Sequence, residues 1–195
     1  MRWWKSLRQA YPNRSAIALG IAALVVCLVV GGLVIGASAA AIHATSTPEF
    51  CVSCHELRDN ALAEFKGTIH DKNRTGVSVG CPDCHLPKEF VPMMIRKVEA
   101  AREVWGHWTG VIDTKEKYEK ERYRMAVREW KRMKANGGQE CKNCHSFESM
   151  DAEKQSETAR DRHAKAKAAG ALCIDCHFGI AHDEPDGPGP AELKD

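Results

Sequence analysis

Read by hydropathy, the chain divides early into one long apolar run and a longer polar remainder with helical periodicity. Ala16 to Ile42 holds 27 residues without a charge, and Ser38 is its only hydroxyl. A helix of that length spans about 40 Å, enough to cross a hydrocarbon layer of roughly 30 Å with tilt. Beyond it, Met94, Val98, Ala101 and Trp105 recur along one side of a helix predicted from Val91 to Trp105. A second pattern, Tyr123, Ala126, Trp130 and Met133, predicts a helix with Asp113 as N-cap and Glu116 closing a capping box. That helix should stop at Asn136-Gly137-Gly138, its charged KEKYEKER stretch facing water. Asp151 to Ala169, closed by Gly170, reads as a third helix, and no strand pattern stands out. The Pro/Gly-rich tail, residues 185–195, reads as flexible. The class is mostly α.

The apolar run reads as a retained transmembrane anchor, residues 16–42. Ala37-Ser38-Ala39 imitates a signal cleavage site, but signal cores run only about 7–15 residues. Arg2, Lys5, Arg8 and Arg14 precede the first acidic residue, Glu49, so residues 1–15 read as cytoplasmic and everything after the span as exported. Trp3 and Trp4 resemble an interfacial anchor. Gly32-x-x-x-Gly36 offers a small-residue face for a homodimer, and Cys27 reads as an apolar residue of the span. The whole chain is +2, and the part after these four cations has 24 basic and 26 acidic residues. This excludes the basic stripe of a nucleic-acid binder.

Setting Cys27 aside, eight cysteines form four Cys-x-x-Cys-His units: Cys51/Cys54/His55, Cys81/Cys84/His85, Cys141/Cys144/His145 and Cys173/Cys176/His177. Their first cysteines are spaced by 30, 60 and 32 residues, and each short interval holds one more histidine, His70 or His163. The spacing suggests a two-unit module used twice, and Asp83 and Asp175 repeat before the second cysteine. Paired Cys-x-x-Cys motifs also build zinc ribbons, but zinc has no need of His after every pair. Disulfides across two intervening residues would close tiny, strained loops. Two thiols spaced for two vinyl groups, then an imidazole aimed at iron, are what covalent haem c requires. Four such groups in residues 43–184 leave little room for an ordinary core, so helices should wrap round the porphyrins in an electron-conducting head.

His43, His70, His107, His163 and His182 remain for the sixth iron positions. Repeat position favours His70 and His163. His182, five residues after His177, is placed to fold back on a neighbouring centre. His43, at the membrane exit, and His107, between Trp105 and Trp108, are weaker candidates, so one haem is left without a supported sixth ligand.

The segments CVSCHELRDN, TIHDKNRTGV, CPDCHLPKEF, IRKVEAAREVWG, GVIDTKEKYE, REWKRMKANGGQECKNCHSFESMD and CIDCHFGIAH resemble the NapC/NirT family of membrane-anchored tetrahaem quinol dehydrogenases. The resemblance runs from the anchor to about His182 and looks closest to the branch that feeds periplasmic nitrate reductase. It implies one N-terminal helix in the bacterial inner membrane and a compact α-helical periplasmic head, residues 43–184. It further implies oxidation of menaquinol or ubiquinol at the first haem and delivery of electrons to a periplasmic redox partner. Family pairing places His163 on the second haem, His182 on the third and His70 on the fourth. Matching IRKVEAAREVWG places a quinol-site lysine at Lys97 and an acidic residue at Glu103.

One departure stands at Leu57, where relatives commonly carry a methionine that can bind the first iron. Leucine has no donor atom, which returns His55 to the iron. In the leading reading Glu103 accepts protons from quinol while Lys97 orients its oxygen. Two rivals stay open: a tethered relay without quinone chemistry of its own, and the reverse flow from a periplasmic donor to quinone.

Overall fold

The computed structural model describes residues 14–193; the expected cytoplasmic segment and its Trp3–Trp4 anchor lie outside the described residues apart from the first residues of the helix. The chain forms two units, residues 1–45 and 46–195. In the first, α1 (Arg14–Ala44) is one uninterrupted helix. Its Ser15–Ala44 stretch has a mean hydropathy of 2.9, so length and composition both suit a bilayer crossing.

The regular elements of the second unit are all helical, with no strand among the described residues. It runs through α2 (Pro48–Cys51), a π-helical turn (Leu57–Ala61) continuing into α3 (Leu62–Phe65), α4 (Cys81–His85) and α5 (Phe90–Trp108). Then follow α6 (Lys115–Ala135), α7 (Gln139–Lys142) and α8 (Glu157–Ala169), with short 3-10 turns between and after them.

The anticipated capping box is displaced by one residue. Thr114, in extended backbone, is the N-cap of α6 and accepts a hydrogen bond from the Lys117 amide at 3.3 Å. Asp113 instead takes the Lys117 ammonium at 2.7 Å. A hydroxyl and a carboxylate cap about equally well, so tertiary packing selects the register. The α6 C-terminus follows expectation: Asn136 is the C-cap, and Gly137 and Gly138 both sit at φ +71°, the left-handed region that favours glycine. The third predicted helix starts later than its pattern suggested, because Ser156 caps α8 and accepts from the Ala159 amide at 3.2 Å.

The apolar stripe of α6 makes the core. Trp130 and Met133 pack with Ile174, and Tyr123, Ala126, Val127, Leu172, Phe178 and Leu193 close round them. Trp130 stands edge-on to Phe178 at 5.4 Å and to Tyr123 at 6.3 Å between ring centres. The tail expected to be flexible is packed here. Tyr123 donates to the Pro188 carbonyl at 3.2 Å, Lys134 donates to the Pro190 carbonyl at 2.9 Å, and Pro190 is fully buried. At Gly187 an added Cβ would meet the Tyr123 ring at 2.4 Å, so the close approach of tail to helix needs glycine.

Ion pairs from α6 tie the remaining segments to it. Arg122 grips Glu64 through both of its terminal nitrogens (2.5 and 2.7 Å) and donates to the Asp183 carbonyl at 2.9 Å. Lys134 pairs with Asp175 at 3.1 Å. Arg132 reaches Glu140 at 2.5 Å and the Cys84 carbonyl at 3.2 Å.

Candidate functional site

Each Cys-x-x-Cys-His unit sits on a short, capped turn. The first follows α2, where Thr47 accepts from the Phe50 amide at 3.3 Å and Pro48 opens the helix. In the second and fourth units the repeated aspartate has a local task. Asp83 accepts the Gly80 amide and Asp175 the Leu172 amide, each at 2.9 Å. Both bonds pin the residue before the first cysteine, which explains why CPDC and CIDC share that aspartate. The third unit is held through Glu140, buried beside Cys141 and bound by Arg132 and by both oxygens to Asn136 at 2.8 and 2.9 Å.

In the third and fourth motifs the two cysteines are not equivalent. Cys144 and Cys176 are exposed, and neither lines the cavity beside Cys81. Their partners Cys141 and Cys173 are half-buried, as are both cysteines of the first motif, and burial raises the thiols of Cys51 and Cys141. The second unit differs, because burial raises both of its thiols, Cys81 and Cys84. The cause is the turn itself. Cys141 and Cys173 are carried by a short helix or 3-10 turn, whereas Cys144 and Cys176 fall just past its end. Three-residue closure still keeps the thiols of a pair together: the Cys144 amide donates to the Cys141 carbonyl and the Cys176 amide to the Cys173 carbonyl, each at 3.2 Å. Residues three apart in such a turn stand one above the other, so both can meet one porphyrin edge. In the first unit the Cys54 carbonyl instead accepts the Arg58 amide at 3.1 Å, which starts the turn that leads into α3.

The four motif histidines each face one further histidine. Ring centres are 5.7 Å apart for His55 and His107, 6.1 Å for His85 and His182, 6.3 Å for His145 and His70, and 6.0 Å for His177 and His163. Two imidazoles binding one metal ion from opposite sides, with bonds of about 2 Å and about 1 Å more to each ring centre, stand roughly 6 Å apart. All eight motif cysteines are free thiols. A cavity of about 390 Å³ beside Cys81 is walled on its apolar side by Pro48, Val52, Leu62, Phe65 and Val79, with Glu49, Asp71 and Ser78 completing the lining. Thiol pairs, opposed imidazoles and an apolar wall together fit covalently attached haem.

These juxtapositions correct the pairing implied by the resemblance. His182 faces the second motif histidine, not the third; His70 faces the third, not the fourth; His163 faces the fourth, not the second. The physical cause lies in the connections. Gly170, at φ +67°, reverses the chain after α8 and turns His163 back on its own motif. The loop bearing His182 is drawn to the first half by Arg122 and by Glu64, which accepts the Asp183 amide at 3.1 Å. His70 and His182 thus cross between the two halves in opposite directions, and the pairing does not follow the sequence repeat. His107 supplies a fourth partner, and His43 lies in the last turn of α1.

Beside the rings the polar partners differ. Glu56, 3 % exposed, approaches His107 Nδ1 at 2.5 Å and His55 Nε2 at 3.5 Å. Burial alone would raise its carboxyl, but the hydrogen bond and charge of His107 outweigh that and hold it below the usual range. His85 Nδ1 lies 2.9 Å from Glu129, and His163 Nδ1 lies 2.8 Å from the Gln155 amide oxygen. Burial, then the neighbouring His85, lowers the His182 imidazole and favours the neutral form that binds a metal. None of Glu56, Glu129 and Gln155 carries a sequence signal, because each meets its histidine only through folding.

Lys97 and Glu103 both lie on α5. Six residues apart, they stand about 9 Å apart along the axis and roughly 120° round it, so they do not share a face. Lys97 interacts electrostatically with Cys51, and burial lowers its ammonium below the ordinary lysine value. Glu103 Oε2 is buried and has no protein hydrogen-bond partner.

A mostly helical head with four Cys-x-x-Cys-His turns and four opposed histidines defines a multihaem c-type cytochrome. The chain belongs to the NapC/NirT cytochrome c family, whose N-terminal-region model matches residues 13–187. It is 49 % identical over 164 residues to the denitrification system component NirT of Stutzerimonas stutzeri, covering 84 % of this chain and 82 % of that one. It is 47 % identical over 186 residues to the cytochrome c-type protein NapC of Escherichia coli K12, covering 95 % and 88 % respectively. A putative tetraheme cytochrome-c type protein of Allochromatium vinosum is 43 % identical over 178 residues, 91 % of this chain and 93 % of its own. No solved structure matches the chain.

Proposed function

We propose that this protein is a quinol dehydrogenase of the bacterial inner membrane that passes electrons to a periplasmic reductase, a nitrate reductase being the acceptor its NapC relatives suggest. The anchor crosses once with its N-terminus in the cytoplasm, as Arg2, Lys5, Arg8 and Arg14 before the span favour. The reading rests on the four histidine pairs at 5.7–6.3 Å. With an imidazole on each side, an iron has no position open to a substrate, so such a centre carries electrons rather than binding small molecules.

When bound, the haems accept electrons one at a time and hand them along the head. The protein's own residues do the rest. The eight motif cysteines fix the four groups, Cys54, Cys84, Cys144 and Cys176 each supplying the second thiol of its turn. His55, His85, His145 and His177 would hold the four irons together with the histidines they face, His107, His182, His70 and His163. Cys51 lies seven residues after the last residue of α1, a chain length of at most about 25 Å, which keeps the first centre within reach of a lipid-soluble quinol. Quinol oxidation releases two electrons and two protons. Lys97, beside Cys51, orients the quinol oxygen and stabilises negative charge as the proton leaves. Glu103, with a carboxylate oxygen lacking a partner, accepts a proton on the periplasmic side.

The test is direct. Full-length protein in lipid nanodiscs should be reduced by a menaquinol or ubiquinol analogue, followed in the haem absorption bands. Lys97→Leu and Glu103→Gln should each slow reduction by quinol while leaving reduction by dithionite unchanged. If quinol leaves the haems oxidised, the protein is a tethered relay. If both variants match the parent, the site assignment is wrong.

A further inference from the structure

Glu129 stands behind one ring only. Its Oε1 receives His85 Nδ1 at 2.9 Å and is pinned there by Arg132 at 2.6 and 3.1 Å. Its Oε2 lies 3.7 Å from Arg96, and its side chain is 19 % exposed. The other rings contrast with this. His163 Nδ1 meets a neutral amide, His70 Nδ1 is buried without a protein partner, and His182 Nδ1 is 4.0 Å from Glu64 without a hydrogen bond. Glu56 touches both rings of the first pair, so its removal would disturb ligation and potential together.

We propose that Glu129 is a positioning residue that lowers the reduction potential of the second centre, attached at Cys81 and Cys84, relative to the third and fourth. This rests on the reading that His85 and His182 are its axial ligands. A carboxylate accepting the Nδ1 proton pushes electron density to Nε2, and a stronger donor favours ferric over ferrous iron. Charge acts in the same direction. Arg96 and Arg132 are balanced by Glu129 and Glu140, so losing one carboxylate leaves a net positive charge near the iron in a poorly screened interior. No proton moves in this step; one electron is gained by ferric iron, and Glu129 sets how readily.

The experiment is a spectroelectrochemical titration with parallel low-temperature EPR on the full-length protein. Glu129→Gln should keep four low-spin haems and shift one reduction equilibrium about tenfold toward ferrous, 59 mV for one electron. The largest g-value of one low-spin signal should also rise as the donor weakens. His182→Met marks the same centre, so in the double variant both changes must fall on one signal. Glu140→Gln removes charge from the cluster without touching His85, and although it also loosens the third unit it should move the second centre's potential less and that centre's g-value not at all. Four unchanged potentials in a fully loaded Glu129→Gln would overturn the proposal. So would a potential shift without a g-change that Glu140→Gln reproduces. If Glu129→Gln fails to mature, Glu129→Asp carries the test, with a smaller shift in the same direction supporting the proposal and no shift refuting it. A His182→Met protein with every signal unchanged would instead sink the ligand reading.

Discussion

Replacing His107 with alanine removes one imidazole from the first pair and leaves the other three untouched. Since four motifs share the iron equally, one quarter of the ferric haem should pass from low to high spin, against none in the parent protein. A second cost follows from the surroundings of His107. Glu56 is 3 % exposed, its Oε2 already lacks a protein partner, and its Oε1 would lose the 2.5 Å bond to His107. Leaving a buried acceptor unsatisfied costs about 1–3 kcal/mol, so the variant should also be less resistant to denaturant. Integration of the EPR signals against total haem measures the first effect, and guanidinium melts measure the second. His107→Met should recover the low-spin signal at a higher potential, since a thioether favours ferrous iron. A parent protein with a quarter of its haem already high-spin, or a His107→Ala protein with no new high-spin signal, would refute the assignment of His107 to the first iron.

Three further outcomes follow from packing and charge. Trp130→Ala removes the largest side chain of the core and should cost about 3–5 kcal/mol in denaturant unfolding of the holoprotein. Glu64→Gln breaks a pair whose side chains are 13 % and 15 % exposed and leaves Arg122 with Glu119 alone, at 3.2 Å, so it should destabilise by less than the roughly 3–5 kcal/mol of a fully uncompensated buried charge while loosening the His182 loop. The loosening should appear as faster amide exchange near Asp183. Because burial lowers the Lys97 ammonium, its charge is lost at lower pH than for a free lysine. Quinol turnover should therefore fall as pH rises through that lowered value, and Lys97→Arg should move the falling limb to higher pH.

The two halves of the site differ in how far they can be read from the chain alone. Attachment chemistry is local: two thiols and an imidazole within five residues do the same thing wherever the turn is placed, so all four motifs were legible. Their burial was not, since Cys144 and Cys176 are exposed, each just past the end of a short turn. The helices α1, α5 and α6 were legible too, because their hydropathy and periodicity extend over several turns. Register at helix ends escaped the sequence, since Asp113 and Thr114 cap about equally well and packing decides. The proline-rich tail looked flexible by composition, yet Tyr123, Lys134 and a glycine that admits the ring hold it against α6.

The opposing ligands show the same divide more sharply. His70, His163 and His182 could be named from position, but which ring each would face depends on chain reversals and long-range bonds such as Arg122 to Asp183. Glu56 and Glu129 lie 51 and 44 residues from the histidines they meet, His107 and His85. Composition and spacing determined that this chain is membrane-anchored and carries four haem c sites. Tertiary structure alone decided the pairing of the rings and the carboxylates behind them, because both arise from contacts between segments with no signal of their own.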